Sequence, residues 1–289
     1  MNAAAGRLGR GLLGGYFWLL VVFLYIPILV LVIFSFNDSP IQALPLEGFT
    51  THWYREAFDN GELISSIKRS ATLALLNAFV ATGLGLLAAM GLSAVRLPGR
   101  SAVTALVMLP LVVPYVVLGI GMLILLNELG LEQSLTAVLA GHVVVSVPYA
   151  VLVILPRLRT LDASIVEAAR DLGANELSAF ARVTLPLIMP ALVASMLISY
   201  TLSFDEYAIA SFLVPPGDTT FPVYLYSGVR TPQFKPQAVA IAAVVIVISL
   251  VLVVASDFGR RWAERRLEGA DEAPAPATGE LAVAAGPGR

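Results

Sequence analysis

Apolar residues gather into six long runs separated by polar connections. Gly11 to Phe36, Ser70 to Val95, Ser101 to Asn127, Ser134 to Pro156 and Ala191 to Phe204 hold no Asp, Glu, Lys or Arg, and a sixth run begins at Gln237. Crossing a hydrocarbon core of about 30 Å takes roughly 20 mainly apolar residues. The pattern therefore predicts an all-α membrane protein with six transmembrane helices, at about 11–36, 70–95, 101–127, 134–156, 191–213 and 237–258. The fifth reaches full length only by continuing through Asp205 and Glu206 to Leu213. The first run exceeds the roughly 7–15 apolar residues of a cleaved leader and is read as a retained span.

Composition agrees with this pattern. With 58% hydrophobic and 13% charged residues and a mean hydropathy of +0.84, too few polar groups exist to cover a soluble globule. No cysteine is present, which removes disulfide and thiolate chemistry. Positive charge sets the orientation, because cytoplasmic loops carry the excess of Lys and Arg. With both termini inside, the cytoplasmic segments hold thirteen of the 18 basic residues; Arg55, Lys68, Arg69, Arg230 and Lys235 fall outside. The expected layout is a cytoplasmic N-terminus (1–10), a membrane domain (11–258) and a largely disordered cytoplasmic tail (259–289), rich in Ala, Pro, Gly and acidic residues.

Two polar segments carry information. In the outer loop, Thr51 is placed to cap a short helix bearing Tyr54, Ala57 and Phe58 on one face. That loop reads equally as a contact for a periplasmic protein or as an interfacial helix anchored by Trp53 and Tyr54. In the inner loop, 157–190, the spacing predicts two short helices. Asp162 or Ser164 caps the first, whose Ile165, Ala168, Ala169 and Leu172 fall on one face, Gly173 follows its end, and Asn175 caps the second, which carries Leu177, Phe180 and Ala181 as an apolar stripe. Such a helix suits insertion into a groove on a partner, and a connector lying on the lipid surface is the plainer alternative.

The stretch EAARDLGANELSAFARVTLPLIMP, from Glu167 to Pro190, resembles the EAA loop of ABC-importer permeases: Glu-Ala-Ala, then Gly173, then Val183-x-Leu185-Pro186. Residues 202–231, with SFDEY and PPGDTTFPVYLYSGVRT, are similar to the spermidine/putrescine-type branch of that family, and similarity to the branch extends over most of the chain. The resemblance implies a multi-pass permease of type I architecture in a bacterial inner membrane, forming half of a translocation path. It implies an ABC ATPase dimer, a second and different permease chain and a periplasmic solute-binding protein as partners, with lipid around them and no nucleic acid. Glu167, Ala168, Ala169 and Gly173 would shape the loop, and Asn175 to Arg182, including Leu177 and Phe180, would enter the ATPase. Asn175 stands where the family often has serine, and Ala191 where it often has glycine.

The chain's own residues exclude a nucleotide site of the P-loop kind. That site needs a lysine after a glycine-rich turn, and the two lysines follow Ile67 and Phe234. No cofactor is expected on this chain; ATP and magnesium would be used by the partner ATPase, and this chain would be a transport subunit without catalytic residues. Asp205 and Glu206 interrupt the fifth run beside Tyr200, Phe204 and Tyr207. Carboxylates and aromatic faces together suit a polyamine in a transport path; support of helix contacts is the competing reading. His142 and Ser146, one turn apart, have the spacing of a base and a nucleophile, but no orienting carboxylate is near in sequence, and bonding to neighbouring helices is the expected role. His52 completes no metal-ligand set, and no metal site is expected. A self-contained secondary carrier is the runner-up; it would show inverted repeats, which this chain does not display.

Overall fold

The computed structural model describes residues 3–93, 99–229, 236–248 and 250. The expected tail at 259–289 and the ends of the second and sixth spans, residues 94–95 and 251–258, lie outside the described residues. The chain divides into two units, Phe36–Ala238, and Met1–Ser35 with Val239–Arg289. In the smaller unit, α1 (Ala3–Phe34) contains Pro27 and an unbroken 22-residue apolar stretch, Leu13–Phe34.

The larger unit opens with a loop closed by an antiparallel bridge between Asn37 and Phe49. Trp53 Nε1 donates to the Asn37 carbonyl at 2.8 Å, fixing α2 (His52–Asp59) against it. Thr51 makes no side-chain cap; the neighbouring Thr50 hydroxyl instead accepts the His52 amide at 3.2 Å, which corrects the expected cap by one residue. Ala57 is buried, as its place in the predicted stripe required, whereas Phe58 is exposed.

Helix α3 (Gly61–Ser93) starts nine residues before the predicted span, because the Asn60 side chain accepts the Leu63 amide and launches the helix early. Lys68 and Arg69 therefore lie on a helix and not in a loop. The third predicted span is two helices. α4 (Arg100–Met108), extended by a 3₁₀ turn to Leu111, and α5 (Tyr115–Glu128) meet at 98°. Pro114 causes the break: it disfavours helical geometry in the residue before it, and its own backbone is extended. α6 (Leu135–Arg159) is capped by Ser134 and runs unbroken through Pro148 and Pro156.

The inner loop carries α7 (Ala163–Asp171) and α8 (Glu176–Ala179), and α9 (Leu185–Phe204) follows it. The fifth span does not continue to Leu213. It stops at Phe204, and a four-residue helix, α10 (Ala210–Leu213), follows a break. α11 (Phe221–Val229) and α12 (Pro236–Ile248) complete the described helices. Among the described residues the chain is helical without strands, and four helices, or five counting the bent pair, are long and apolar enough to cross a membrane.

α3, α6 and α9 form the centre of the larger unit. One apolar cluster joins Ala89, Leu92, Val151, Ile154 and Ile188; another joins Leu73, Val138, Val145, Ile209 and Leu213. Gly85 faces Ala150 so closely that a Cβ at that position would collide with the alanine methyl.

Candidate functional site

Local hydrogen bonds build the inner loop. The Asp162 carboxylate accepts the Ser164 amide at 2.9 Å and starts α7. Bonds from the Ser164 amide and hydroxyl hold that carboxyl below the ordinary aspartate range. The charged cap's contribution is thus complete above the ordinary value and disappears only as pH falls through the lowered one, so α7 is fully capped at neutral pH.

At the other end, Gly173 has φ of +89°, a left-handed conformation that side chains resist. Its amide donates to the Arg170 carbonyl at 2.8 Å, and the Ala174 amide to the Ala169 carbonyl at 3.0 Å. These two bonds terminate α7 in a Schellman motif. Asn175 then accepts the Ser178 amide at 2.8 Å and starts α8. Arg170 pairs with Glu176 at 2.7 Å across the turn; at this exposure it adds at most about 1 kcal/mol. Asn175→Ala removes a cap and is expected to cost α8 about 1 kcal/mol, visible as faster amide exchange over residues 176–179.

The second predicted helix is not separate from the fifth span. A π-helical segment, Phe180–Thr184, joins α8 to α9, so residues 176–204 form one helical path. The wider turn accommodates Pro186, which sits in the first turn of α9 without needing its missing N–H. Phe180 is half-buried and lines a cavity of about 640 Å³ with Leu86, Met90, Leu158 and Val166. Glu167, Ala168, Gly173, Asn175 and Arg182 lie on the outside of this loop, and Ala169 is half-buried. Leu177 is 76% exposed. Leu172, expected on one face of the first helix with Ile165, Ala168 and Ala169, is 90% exposed, and Ile165 is exposed as well.

A buried polar ladder joins the three central helices. From α9, Ser195 meets Thr82 of α3 at 3.1 Å, the Ser199 carbonyl accepts Asn77 Nδ2 of α3 at 2.8 Å, and Ser203 meets His142 Nδ1 of α6 at 2.7 Å. Asn77 Nδ2 also reaches Ser146 of α6 at 2.9 Å. His142 and Ser146 are thus each bonded to a neighbouring helix. The serines at four-residue intervals in α9 were a legible signal of this ladder that the apolar pattern alone passes over.

The predicted substrate-path residues separate at the break after α9. Asp205 and Tyr207 are exposed. Glu206 is 7% exposed and turned inward, with Oε1 accepting the Ile209 amide at 2.8 Å and Oε2 the Ala210 amide at 2.9 Å. Tyr200 stacks on Phe204 with ring centres 5.9 Å apart, Phe204 meets Phe221 at 6.0 Å, and Tyr207 meets Tyr226 at 4.6 Å. Phe221 and Tyr226, both on α11, are aromatic partners that the sequence pattern does not place. Among the described residues no group of His, Cys, Asp and Glu side chains is arranged to hold a metal ion.

Residues 81–269 match the family described as binding-protein-dependent transport system inner membrane component. The chain is 35% identical over 249 residues to the spermidine/putrescine transport system permease protein PotC of Escherichia coli K12, covering 86% of this chain and 94% of that protein. It is 37% identical over 239 residues to the putrescine transport system permease protein PotI of the same strain, covering 79% and 85%. In three dimensions it resembles a chain of a bacterial ABC transporter that imports the acidic polysaccharide alginate, with a TM-score of 0.68, 20% identity and coverage of 88% and 95%. It also resembles a chain of the MetNI methionine ABC transporter in an inward-facing conformation, with a TM-score of 0.54, 19% identity and coverage of 68% and 93%. These structural likenesses bear on the fold, and the sequence matches carry the kinship. The chain belongs to the binding-protein-dependent transport system inner membrane components, as a membrane-embedded permease subunit of an ABC importer and not an enzyme.

Proposed function

We propose that this permease carries a polyamine, spermidine or putrescine, and is driven through its inner loop by a separate ATPase dimer. The observation that carries the coupling half is the presentation of Leu172 and Leu177, 90% and 76% exposed, on a turn held by two caps, a Schellman motif and an ion pair. Apolar side chains held out on a rigid polar turn are what a partner's groove takes up. In this reading Glu167, Ala168, Ala169 and Gly173 set the turn, and Asn175, Leu177, Phe180 and Arg182 line the contact. ATP and magnesium belong to the ATPase, since neither lysine of this chain stands in a P-loop.

The charge distribution supports six spans with both termini cytoplasmic, which puts this loop on the ATPase side. A second permease, a different chain, would complete the path, and a periplasmic protein would deliver the solute. Displacement of α8 by ATP-driven closure would pass directly into α9 along the continuous helix 176–204. Any such motion is driven only by a difference in interaction energy between the inward- and outward-open states.

The substrate half rests on Asp205 and the aromatic groups around it, Tyr200, Phe204 and Tyr207, together with the polyamine names of the two relatives. An exposed carboxylate pairs with an ammonium, and ring faces attract it. Asp205→Asn is expected to raise the KM for spermidine about tenfold, corresponding to loss of about 1.5 kcal/mol for a charge-assisted contact. Uptake into vesicles holding the complete transporter measures this. An unchanged KM would remove Asp205 from the path. ATP hydrolysis stimulated by spermidine or putrescine, and not by unrelated solutes, would support the substrate class; stimulation by another solute alone would discard it.

A further inference from the structure

We infer that His142 and Glu206 form a buried positioning pair that braces the break after α9 against α6, and that Glu206 acts through this brace and does not bind substrate. The side chains are 1% and 5% exposed, with His142 Nε2 3.3 Å from Glu206 Oε2. Hydrogen-bond geometry is not met between these two atoms, so the contact is one of position. Each residue is anchored on its far side: His142 Nδ1 meets Ser203 in the last turn of α9, and both Glu206 oxygens accept amides that open α10. One imidazole from α6 therefore touches the helix before the break and the carboxylate that organises the helix after it.

The arrangement explains why two adjacent carboxylates behave differently. Asp205 ends α9 and is exposed, whereas Glu206 has replaced the solvation of its carboxylate with two N–H donors and a histidine. Leaving a buried carboxylate or its partner groups uncompensated is costly, so the pieces hold one another in place. Asp205 and Tyr207, on either side of Glu206, are held outward by the same contacts. Their role as substrate contacts rests on the proposed function; the brace does not.

The absence of cysteine from the chain makes a direct test available. Ala210→Cys places one thiol at a fully buried position just beyond the break, and Ala89→Cys, made separately, places one at a fully buried position in the other apolar cluster. Both are treated with a biotin maleimide in membranes carrying the complete transporter. We expect slow labelling at both positions when His142 and Glu206 are intact. His142→Gln or Glu206→Gln should accelerate labelling of the thiol at position 210 at least tenfold and leave the thiol at position 89 protected, and the two substitutions together should add little to either alone. Continued protection of position 210 in both backgrounds would overturn the brace. Acceleration at both positions would overturn its local character and make the pair a support of the whole bundle. Spermidine uptake reports separately on the substrate reading. An altered KM in Asp205→Asn, with position 210 unresponsive to loss of the pair, would sink the brace alone, and the converse would sink only the path.

Discussion

Leu177→Asp is expected to abolish co-purification of the ATPase while leaving the permease folded. A leucine side chain moved fully from water into an apolar groove contributes roughly 1.5–3 kcal/mol. Residues that anchor the centre of an interface reach about 2 kcal/mol or more on truncation. An aspartate adds the cost of desolvating a charge. The affinity of the pair should therefore fall by about 30-fold or more, the equivalent of roughly 2 kcal/mol, read from the amount of ATPase retained on the tagged permease in detergent. Because Leu177 is 76% exposed, the melting temperature of the isolated subunit should scarcely move, surface substitutions generally staying within about 0.5 kcal/mol. Full retention of the ATPase with Leu177→Asp would refute the docking assignment.

Gly85→Val should produce the largest loss of stability. A Cβ at Gly85 runs into the Ala150 methyl, with the Ala150 backbone 3.4 Å away, so neither α3 nor α6 can yield by rotating a flexible side chain. Overpacking of this kind costs typically about 1–3 kcal/mol and sometimes more. Gly83→Val is the matched control, since nothing lies within 4 Å of a Cβ there. Thermal unfolding in detergent should show a lowered midpoint for Gly85→Val and none for Gly83→Val, whose helix propensity is slightly better than glycine's. Equal midpoints would mean that the two central helices separate without penalty.

What was legible in the chain followed interaction range. Gly173 and Asn175 were placed correctly and Asp162 was one of the two caps expected, because a cap or a left-handed turn is decided by bonds spanning two to five residues. The same logic failed at Thr51, where an adjacent threonine offered an equivalent hydroxyl and the local pattern could not rank the two. Runs of apolar residues marked where helices form among the described residues. They did not mark breaks: Pro114 turned the third run through 98°, and Glu206 ended the fifth run's helix by offering its own carboxylate to the Ile209 and Ala210 amides.

By itself the sequence determined the class of the protein, the run lengths, the charge asymmetry and the polar loop with its caps, since these depend on solvent preference and on neighbours along the chain. The tertiary structure alone decided that α8 continues into α9, that Asp205 faces outward while Glu206 faces in, and that His142 and the α9 serines meet partners from other helices. Adjacent carboxylates have nearly the same local chemistry. Only the placement of His142, Ser203 and two backbone amides from distant or later segments makes burial tolerable for one of them and leaves the other in the open.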